Sequence, residues 1–530
     1  MENKVPLSVV ILAKNEAGRL RDCIHSVAWA DDVLVIDDES ADDTLAIAES
    51  LGARVLRRKM DIEGRHRNWA YAQAKHEWVL SLDADERVSP ALAQEMQGLL
   101  GNGASAPYET YAVPRKNYIG DRWIQYGGWY PSAQLKLFKR SVFRWEETTV
   151  HPRAISDRPC GTLEHDLIHY SYRNLHDFIA KMNWQTTLEA QKWVADGRRV
   201  TLGKALWRAV DRFFRAYIGK RGYRDGFLGF VVAALGGFYQ FLSWAKYEEQ
   251  RRPSPAAAAD ALADLSPGLS RPGGRATLSV VLMTKNEAHR LARCLDRVAG
   301  WADEIVVIDD LSEDGTRELA QRYTDKVFPY RSDDDHFKQW NRGIEHATGE
   351  WILHIDADEL VTPALRDAMD QALSTQPQHA GFEVMRKNFY LGYPMRHGGW
   401  YHRYMNLFRR QGSRCIGKGI HARVSFTGTT GFLNADIEHY PFTSIVQFME
   451  RQNGYTSVEA DVLVERRPGV RLREIIYQTT WRPVKLWWKF YVKKAGWRDG
   501  WPGFVFAVLW AFVHFLLWAK YWERVYGTRG

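Results

Sequence analysis

The stretch LSVVILAKNEAGRL at residues 7–20 recurs as LSVVLMTKNEAHRL at residues 278–291. In both places an apolar run precedes a polar Lys-Asn-Glu and then apolar residues with helical spacing, which predicts a buried strand, a turn and a helix. Alternating short strands and helices indicate an α/β fold on a mainly parallel sheet. In the first copy we predict strands at residues 7–12, 33–36 and 78–82 and a helix at residues 16–27.

The two copies match along almost the whole chain of 530 residues. VLVIDDESADDT (33–44) matches IVVIDDLSEDGT (305–316), and EWVLSLDADERVSPAL (77–92) matches EWILHIDADELVTPAL (350–365). A repeat of about 250 residues is too long for a solenoid, so a duplicated domain is predicted. We predict a first domain at residues 1–195, membrane-associating helices at 196–250, a Pro/Ala/Gly linker at 251–277, a second domain at 278–465 and membrane-associating helices at 466–530.

The positive charge of the chain is concentrated in two segments. The formal net charge is +8, which by itself suits nucleic acid, an anionic membrane or phosphorylated ligands. Residues 198–224 and 466–498 together carry more positive charge than the whole chain, so the remainder is acidic. A nucleic-acid surface is therefore excluded from the prediction. The four cysteines have no metal-site or disulfide spacing and are predicted to be reduced.

Acidic residues follow three of the predicted strands in each copy. Ligands of open α/β sheets collect at the carboxyl ends of the strands. Carboxylates gathered there repel one another unless a cation neutralises them, and Mg²⁺ or Mn²⁺ suits such ligands. A divalent cation carrying a diphosphate is therefore predicted as the cofactor. The segments are Lys14-Asn15-Glu16, Asp37-Asp38 and Asp83-Ala84-Asp85-Glu86, and Lys285-Asn286-Glu287, Asp309-Asp310 and Asp356-Ala357-Asp358-Glu359.

The order KNE, IDD-x-S-x-D-x-T and DADE resembles the family 2 glycosyltransferases of the GT-A fold. The further run RKN, GGWY, LKLF and HYSY is similar to inner-membrane enzymes that add glucose to heptose in the lipopolysaccharide core. The resemblance implies two tandem GT-A domains that use a nucleotide sugar, with a UDP-sugar expected. It implies nucleoside contacts for Glu16, Asp37, Asp38, Glu287, Asp309 and Asp310, and metal and diphosphate contacts for Asp83, Asp85, Asp356 and Asp358.

The general base is the site residue that the sequence leaves open. Inverting transfer requires a group that takes the proton of the acceptor hydroxyl. The similar enzymes carry His-Glu after the LxLF segment, whereas this chain has His151-Pro152 and His421-Ala422. In the first copy Glu146 and Glu147 lie just upstream and are candidates, whereas the matching residues 414–418 of the second copy include no acid. The alternatives are that Glu86 and Glu359 of DADE supply the base or that the second copy is impaired.

Aromatic and histidine residues are predicted to contact the acceptor. Trp129 and Trp400 of the GGWY segments offer flat faces for a sugar, and a buried turn tryptophan is the alternative interpretation. His151 and His421 are predicted near the metal or diphosphate, with an ordinary hydrogen-bonded role as the alternative.

Each copy ends in a basic amphipathic segment followed by an apolar run. The runs at residues 226–245 and 500–519 contain no charged residue and as helices match the thickness of a bilayer core. The amphipathic segments before them predict contact with an anionic membrane surface. No signal-peptide pattern opens the sequence. We therefore expect the globular parts at the cytoplasmic face of a bacterial inner membrane.

Three functional hypotheses follow. The first is a metal-dependent inverting glycosyltransferase with two active copies, acting on a lipopolysaccharide-core or other lipid-linked glycan. In the second, one copy is catalytic and the other binds sugar or acceptor. The third is a non-catalytic, membrane-bound carbohydrate-binding scaffold, and the presence of all three carboxylate segments in both copies argues against it.

Overall fold

A computed structural model describes residues 5–101, 106–148, 153–252, 273–332, 336–375, 378–416 and 423–527. The chain divides into two compact units. Unit 1 comprises residues 1–247 with 526–530, and unit 2 comprises residues 248–525. Most of the predicted linker lies outside the described residues.

Unit 1 alternates strands and helices before a pair of C-terminal helices. Its strands are β1 Val5–Ala13, β2 Ala30–Asp37, β3 Arg54–Arg57, β4 Trp78–Asp83, β5 Glu86–Val88, β6 Thr110–Val113, β7 Arg115–Ile119, β8 Arg122–Trp123, β9 Gln134–Lys139, β10 Arg144–Trp145, β11 Ala154–Ile155, β12 Cys160–Thr162 and β13 Leu167–Tyr172. Its helices are α1 Ala17–His25, α2 Thr44–Ser50, α3 Glu63–Ala72, α4 Pro90–Leu100, α5 Leu175–Ala195, α6 Leu202–Phe214 and α7 Gly226–Arg251.

The main sheet of unit 1 has the order β12-β6-β9-β4-β1-β2-β3. The strands β3, β2, β1 and β4 are parallel, whereas β9 is antiparallel to both β4 and β6. The three predicted strands and the predicted helix are confirmed as β1, β2, β4 and α1. The strands β12 and β6 are also parallel, so four of the six pairings in this mixed sheet are parallel, in agreement with the predicted mainly parallel sheet.

Unit 2 repeats this arrangement. Its strands are β14 Leu278–Thr284, β15 Glu304–Asp309, β16 Val327–Pro329, β17 Trp351–Asp356, β18 Glu359–Val361, β19 Gly381–Tyr390, β20 Tyr393–Pro394, β21 Tyr401–Arg409, β22 Arg414–Ile416, β23 Arg423–Ser425 and β24 Thr430–Phe442. Its helices are α8 Ala288–Leu295, α9 Thr316–Ala320, α10 His336–His346, α11 Pro363–Ser374, α12 Ile445–Arg466, α13 Leu472–Trp488 and α14 Gly500–Tyr526. The parallel strands β16, β15, β14 and β17 are followed by antiparallel β21.

Apolar side chains cover both faces of each main sheet. In unit 1, Val9 and Leu80 pack with α1 and α4, and Val10 and Val79 pack with Tyr71 of α3 on the other face. Coverage on both faces explains why these strands read as continuous apolar runs. The helix α4 starts where the Ser89 side chain accepts the backbone N–H of Leu92, with a proline in the first turn.

The C-terminal helices of each unit are fixed by a buried lysine. Lys246 Nζ donates to the side chains of Asn183, Thr186 and Thr187 of α5, the last at 2.8 Å. In unit 2, Lys520 Nζ makes the equivalent bonds to Asn453, Thr456 and Ser457 of α12. A buried ammonium needs such acceptors. These bonds therefore fix α7 to α5 and α14 to α12.

Candidate active site

The predicted carboxylates of each unit meet at the carboxyl ends of the parallel strands. In unit 1, β2 ends at Asp37 and β4 ends at Asp83, on either side of β1. In unit 2, β15 ends at Asp309 and β17 ends at Asp356, on either side of β14. Such an edge is where α/β sheets bind ligands.

The Lys-Asn-Glu loop is fastened to the Asp-Asp segment beside it. Asn15 has a left-handed backbone (φ +54°) and its N–H donates to Ser40 Oγ at 2.9 Å. Lys14 Nζ lies 2.8 Å from Asp38 Oδ2, which is an ion pair. The matching residues of unit 2 are Asn286 with Ser312 and Lys285 with Asp310, both at 2.9 Å.

The two aspartates of each Asp-Asp pair have different environments. Asp37 is fully buried and accepts the N–H of Ser40 at 3.2 Å. Burial raises the pKa of Asp38, but bonds from Lys14 and from the backbone N–H of Met60 outweigh burial and lower it. In unit 2 the second aspartate, Asp310, lines a cavity, whereas the buried Asp309 is not among its lining residues in the described chain.

Glu16 lies toward the DADE segment. Its carboxylate is 4.0 Å from Arg19, which is also 3.7 Å from Asp85. Burial raises the pKa of Glu16, and the charge of Arg19 counteracts this rise. In unit 2, Arg451 contacts both Glu287 (3.6 Å) and Asp358 (3.8 Å). The structure therefore brings Glu16 and Glu287 to the predicted diphosphate end of each site.

In unit 1, protein cations contact both oxygens of the first DADE aspartate. Arg67 Nη2 donates to Asp83 Oδ1 at 2.9 Å, and Lys136 Nζ lies 3.3 Å from Asp83 Oδ2. Burial would raise the pKa of Asp83, but the charges of Arg67 and Lys136 outweigh it and hold the pKa below the usual value. Asp83 is therefore compensated by the protein itself.

In unit 2, the cation nearest the first DADE aspartate among the described residues is more distant. Arg386 Nη2 lies 3.6 Å from Asp356 Oδ2. Burial and the charge of Asp358 raise the pKa of Asp356 to about 6. Burial also raises the pKa of Glu359 to about 8, against the charge of Arg386. Negative charge here is thus poorly compensated by the protein.

The glutamates of DADE, predicted as bases, lie under the strand ends. Glu86 and Glu359 are 0% exposed. Glu86 Oε2 accepts the backbone N–H of Asp83 at 2.9 Å, and Glu359 Oε2 accepts that of Asp356 at 3.1 Å. Neither is among the described residues that line the two cavities of the structure. This burial argues against contact with an acceptor hydroxyl, and a role as base stays a prediction. Glu147 is exposed and bonded to Arg65 at 3.1 Å.

A histidine and an asparagine complete each site. Glu86 pairs with His169 across β5 and β13, and His169 pairs with Asn117 across β13 and β7. His169 Nδ1 donates to Asn117 Oδ1 at 2.7 Å, and His169 Nε2 lies 3.6 Å from Asp85 Oδ1. In unit 2, His439 lies between Asn388 (2.5 Å) and Asp358 (3.6 Å) in the same way.

The predicted divalent cation fits these side chains as partial ligands. An imidazole that donates Nδ1–H presents its Nε2 lone pair, which is the usual arrangement of a metal-binding histidine. Asp85 Oδ1, beside His169, is buried without a hydrogen-bond partner among the described residues. No group of three His, Cys, Asp or Glu side chains within the described ranges could hold a metal alone. Further ligands would therefore come from a bound diphosphate.

A cavity lies at the strand edge of unit 2, whereas the cavity of unit 1 lies beside the His169–Asn117 pair and is lined by none of the predicted carboxylates among the described residues. The unit 2 cavity of about 960 Å³ runs from Lys285, Asp310 and Asp358 to His514 of α14. The unit 1 cavity of about 590 Å³ includes His169 and Asn117 and extends to Tyr239 of α7. Cavities of this size hold small-molecule ligands.

Trp129 and Trp400 line these cavities, as their predicted contact with an acceptor requires. Trp129 packs against Tyr172 and Phe178, and Trp400 packs against Phe506 with ring centres 4.3 Å apart. The other predicted acceptor residues, His151 and His421, lie outside the described residues.

The GGWY loop is held by the turn before the apolar helix. Gly127 N–H donates to the Lys220 carbonyl at 2.9 Å, and Asp225 accepts the N–H of Tyr126 at 2.8 Å. Gly128 has φ +86°, and a Cβ there would lie 2.7 Å from the Lys220 side chain. These contacts explain why GGWY and G-x-R-D-G recur together in the sequence.

Several site residues were missed by sequence reasoning. Arg67, Lys136 and Arg115 reach one carboxylate cluster from α3, β9 and β7, and only the tertiary fold joins these elements. The RKN segment gave a signal, since both copies contain Arg and Asn two residues apart. In each unit the Arg contacts the DADE glutamate and the Asn contacts the histidine.

The fold and the two carboxylate edges define an α/β protein with paired ligand sites. A family model described as Glycosyl transferase family 2 matches residues 8–151 and 279–430. The matches cover more than half of the chain, and the chain belongs to glycosyl transferase family 2. It is therefore a glycosyltransferase, and the predicted GT-A fold agrees with this family.

Curated relatives match one copy's length of this chain. An uncharacterized glycosyltransferase of Rickettsia felis is 28% identical over 255 residues, which are 46% of this chain and 89% of the relative. The lipopolysaccharide core biosynthesis glycosyltransferase LpsC of Rhizobium meliloti is 28% identical over 254 residues, which are 46% of this chain and 92% of LpsC.

The chain also resembles the crystal structure of S. aureus TarS 1-349 in complex with UDP. The identity is 15% and the TM-score 0.26, with 46% of this chain and 91% of that chain covered. At this TM-score the likeness carries no argument about ligands.

Proposed function

We propose that the chain is a duplicated, metal-dependent inverting glycosyltransferase. It transfers a hexose from a UDP-sugar to a lipopolysaccharide-core or other lipid-linked glycan, at the cytoplasmic face of a bacterial inner membrane. The similarity to LpsC, which is named for lipopolysaccharide core biosynthesis, supports this acceptor class.

One observation supports the proposal most directly. In unit 2 a single cavity is lined at one end by Lys285, Asp310 and Asp358 and at the other by Trp400, Trp510 and Leu517. A charged end suits a nucleotide diphosphate, and an aromatic and apolar end suits a sugar on a lipid carrier. A transferase needs both ligands in one enclosed space, so that the acceptor hydroxyl meets the donor sugar.

The chain's own residues orient the donor. Lys285 holds Asp310 ionised beside the nucleoside end, because its ammonium lies 2.9 Å from that carboxylate. Arg290 lies 3.6 Å from Asp358 and presents positive charge toward the diphosphate end. His439 and Asp358 would hold a divalent cation together with the diphosphate. When bound, such a cation supplies Lewis-acid stabilisation of the charge on the departing nucleoside diphosphate.

The proton of the acceptor hydroxyl goes to a side-chain base in an inverting transfer. Glu86, Glu359 and Glu147 are the predicted bases, and their positions give a direct test. Replacing Glu86 or Glu359 with Gln removes the carboxylate and keeps the size of the side chain. If the glutamate is the base, the Gln variant should lose turnover with little change in donor affinity. If the glutamate only supports Asp83 or Asp356, the variant should lose donor affinity and stability together.

Exposed apolar side chains on α6 and α13 support the membrane part of the proposal. In unit 1, α6 and the turn after it expose one apolar stripe, while Phe213 and Tyr217 pack inward against Phe230. The helices at residues 222–251 and 496–526 are long and apolar enough to span a membrane, but more than half of each is buried in the protein. The exposed stripe is Leu206, Trp207, Val210, Phe214 and Ile218 in unit 1 and Leu472, Ile476, Tyr477, Trp481, Val484 and Trp488 in unit 2.

The proposed function is tested by inactivating each DADE segment in the full-length protein. Asp85→Ala and Asp358→Ala are each expected to lower metal-dependent hydrolysis or transfer from UDP-hexose by about a hundredfold in the affected unit. The double variant should lower total UDP release by about a hundredfold. Turnover is measured by UDP release with a lipid-linked glycan extract. Unchanged UDP release from the double variant would contradict the proposal.

A matched control uses an acidic residue outside the site. Asp157→Ala changes an exposed aspartate far along the sequence from the DADE segments, and it should leave UDP release unchanged. Mass spectrometry of the glycan products then shows whether Asp85→Ala and Asp358→Ala remove the same sugar or different ones.

A further inference from the structure

The two DADE sites are built on the same backbone with different cations. Asn68 and Asn341 make the same pair of bonds, donating at 3.0 and 3.1 Å to the carbonyls of Trp145 and Cys415. The residues just before them, Arg67 and Trp340, are therefore equivalent in position.

The second difference lies on the antiparallel strand beside DADE. Leu80 pairs with Leu137 across β4 and β9, and Leu353 pairs with Leu407 across β17 and β21. Lys136 of unit 1 is therefore equivalent to Asn406 of unit 2. Both side chains are buried, and the Asn406 amide has no hydrogen-bond partner among the described residues.

The charge around the site changes accordingly. The carboxylates compared are Glu16, Asp83, Asp85 and Glu86 in unit 1 and Glu287, Asp356, Asp358 and Glu359 in unit 2. Among the described residues, five Lys or Arg side chains lie within 4.0 Å of the unit 1 set and three lie within 4.0 Å of the unit 2 set. The five cations are Arg19, Arg67, Arg115, Lys136 and Arg173, and the three are Arg290, Arg386 and Arg451.

We propose that Arg67 and Lys136 take the charge position of a divalent cation at the unit 1 DADE, so that unit 2 is the high-affinity metal site of the chain. This inference rests on the proposed function, because it assumes a nucleoside diphosphate at both strand edges. Arg67 and Lys136 occupy both oxygens of Asp83, at 2.9 and 3.3 Å. A dication at unit 1 must displace or tolerate two positive charges, whereas Arg386, at 3.6 Å, is the one Lys or Arg side chain within 4.0 Å of Asp356 in the described part of the chain.

The same two residues give unit 1 a way to hold a diphosphate without metal. Lys136 is buried and neither residue is among the described residues that line the unit 1 cavity, so both act on phosphate oxygens through their positive charge across the site. Unit 1 is thus expected to bind UDP with weak dependence on metal. Unit 2, with Trp340 and Asn406 at those positions, is expected to require the metal for tight UDP binding.

Mn²⁺ binding to the full-length protein in the presence of UDP tests the inference. Free Mn²⁺ is counted by electron paramagnetic resonance, and UDP binding is followed by calorimetry with and without Mn²⁺. Asp85→Ala, which leaves only unit 2 intact, should keep the tight Mn²⁺ site. Asp358→Ala, which leaves only unit 1 intact, should bind Mn²⁺ at least about tenfold more weakly, because of two additional charges at the site. Equal Mn²⁺ affinity in these two variants would overturn the inference.

Exchanging the residues provides the matched test. Asn406→Lys in the Asp85→Ala background should weaken Mn²⁺ binding about tenfold, and Lys136→Asn in the Asp358→Ala background should strengthen it by a similar factor. Melting temperatures identify a variant that fails to fold. Because Lys136→Asn leaves Glu86 with one cation fewer, Asn406→Lys is the decisive variant if Lys136→Asn is unstable. Unchanged Mn²⁺ affinity in Asn406→Lys overturns the inference.

The outcome also separates this inference from the proposed function. If both units bind UDP with the same dependence on Mn²⁺, only the division between the sites is wrong. If the wild-type protein, Asp85→Ala and Asp358→Ala all fail to bind UDP, with and without Mn²⁺, the proposed function is wrong as well.

Discussion

The cavities of units 1 and 2 differ both at the strand edge and away from it. Lys285, Asp310 and Asp358 line the unit 2 cavity, whereas none of the equivalent unit 1 residues is among the described residues that line the unit 1 cavity. Unit 1 has Gly236 and Arg212 at positions that in unit 2 belong to Trp510 and Leu486. Trp510 packs its ring against Phe506 and Trp400, so the far wall of the unit 2 cavity is aromatic. In unit 1 the wall at this point is a glycine beside an arginine.

The hydrogen bonds that hold the elements around the two cavities, by contrast, are the same in both units. The Asn and His of the site, the GGWY turn and the buried lysine make equivalent bonds in both units. The units differ at Arg67 and Lys136, which contact Asp83, and at Gly236 and Arg212, which line the unit 1 cavity. The two units therefore share one scaffold and differ in the charge and size of residues at the candidate site.

The largest expected effect concerns the cations that neutralise the buried glutamate of each DADE segment. Arg386→Met leaves the buried Glu359 without a cation among the described residues, whereas Arg115→Met leaves Lys136 at 2.7 Å from Glu86. Stranding a buried charge costs about 3 kcal/mol or more. Because the pKa of Glu359 is raised to about 8, the loss of stability in Arg386→Met should be small at neutral pH, where Glu359 is protonated, and should grow toward about 3 kcal/mol as the pH rises above 8, whereas Arg115→Met should destabilise unit 1 by about 1 kcal/mol. Hydrogen exchange of peptides from β18 and β5 measures each unit separately.

The exposed Arg403, which lies 3.8 Å from Glu383, provides the control for this pair. Arg403→Met should change stability by less than about 0.5 kcal/mol. Equal losses from Arg386→Met and Arg115→Met at high pH would show that the two clusters are compensated alike.

The shared scaffold predicts equal losses in both units when the buried lysine is replaced. Lys246→Met and Lys520→Met remove three or more charge-assisted hydrogen bonds each. Each should lower the free energy of unfolding of its unit by about 2 kcal/mol. Local hydrogen exchange in α5 and α12 is the measurement. A loss confined to one unit would break the claim of a common scaffold.

Exchanging Gly236 and Trp510 tests whether the residue at this position of the cavity wall determines how tightly each unit binds its acceptor. Gly236→Trp should fill the unit 1 cavity and raise the KM for its acceptor about tenfold, while leaving the unit 2 product unchanged. A Cβ at Gly236 meets nothing nearer than 3.8 Å, so the backbone accepts the substitution. Trp510→Gly should raise the unit 2 KM by a similar factor. Product-resolved kinetics by mass spectrometry distinguish the units, and a matching change in both products would argue against separate acceptor sites.

The smallest expected effect concerns the membrane stripe. Trp207 of α6 is 70% exposed, and Trp184 of α5 is 63% exposed but lies outside the stripe. Trp207→Ser should weaken binding to vesicles of anionic phospholipid about threefold, because one interfacial tryptophan is lost. Trp184→Ser is the matched control and should leave vesicle sedimentation unchanged. Trp481→Ser should repeat the Trp207→Ser result in unit 2 if both stripes contact lipid.

The sequence predicts the parallel half of each unit well, for a physical reason. Strands β1, β2 and β4 are buried on both faces, so each reads as an apolar run that ends at its carboxylate. The antiparallel half is harder, because strands such as β7 and β24 carry charged and aromatic residues that face the site. The cations at Asp83 are absent from the prediction since α3 and β9 contribute them from distant parts of the chain.

The position of Glu86, one of the predicted bases, also depends on tertiary pairing. Glu86 follows Asp85 directly in sequence, yet the short strand β5 turns its side chain beneath Asp83. Its place next to Asp85 in the sequence led to the prediction that Glu86 lies in the site. In the structure, the antiparallel pairing of β5 with β13 places its side chain beneath Asp83. The pairing depends on residues about eighty positions later in the chain, and no local pattern reports it.

Asn117 joins two parts of the unit 1 site through one planar amide. Its oxygen accepts His169 Nδ1–H at 2.7 Å, and its nitrogen donates to the Trp129 carbonyl at 2.6 Å. Because the two ends of the amide turn together, rotation of this side chain would break both bonds at once, while the bonds from Gly127 to Lys220 and from Tyr126 to Asp225 would still hold the GGWY loop. The GGWY loop and the histidine beside Asp85 thus share one hydrogen-bond partner, and Asn388 has the same role in unit 2.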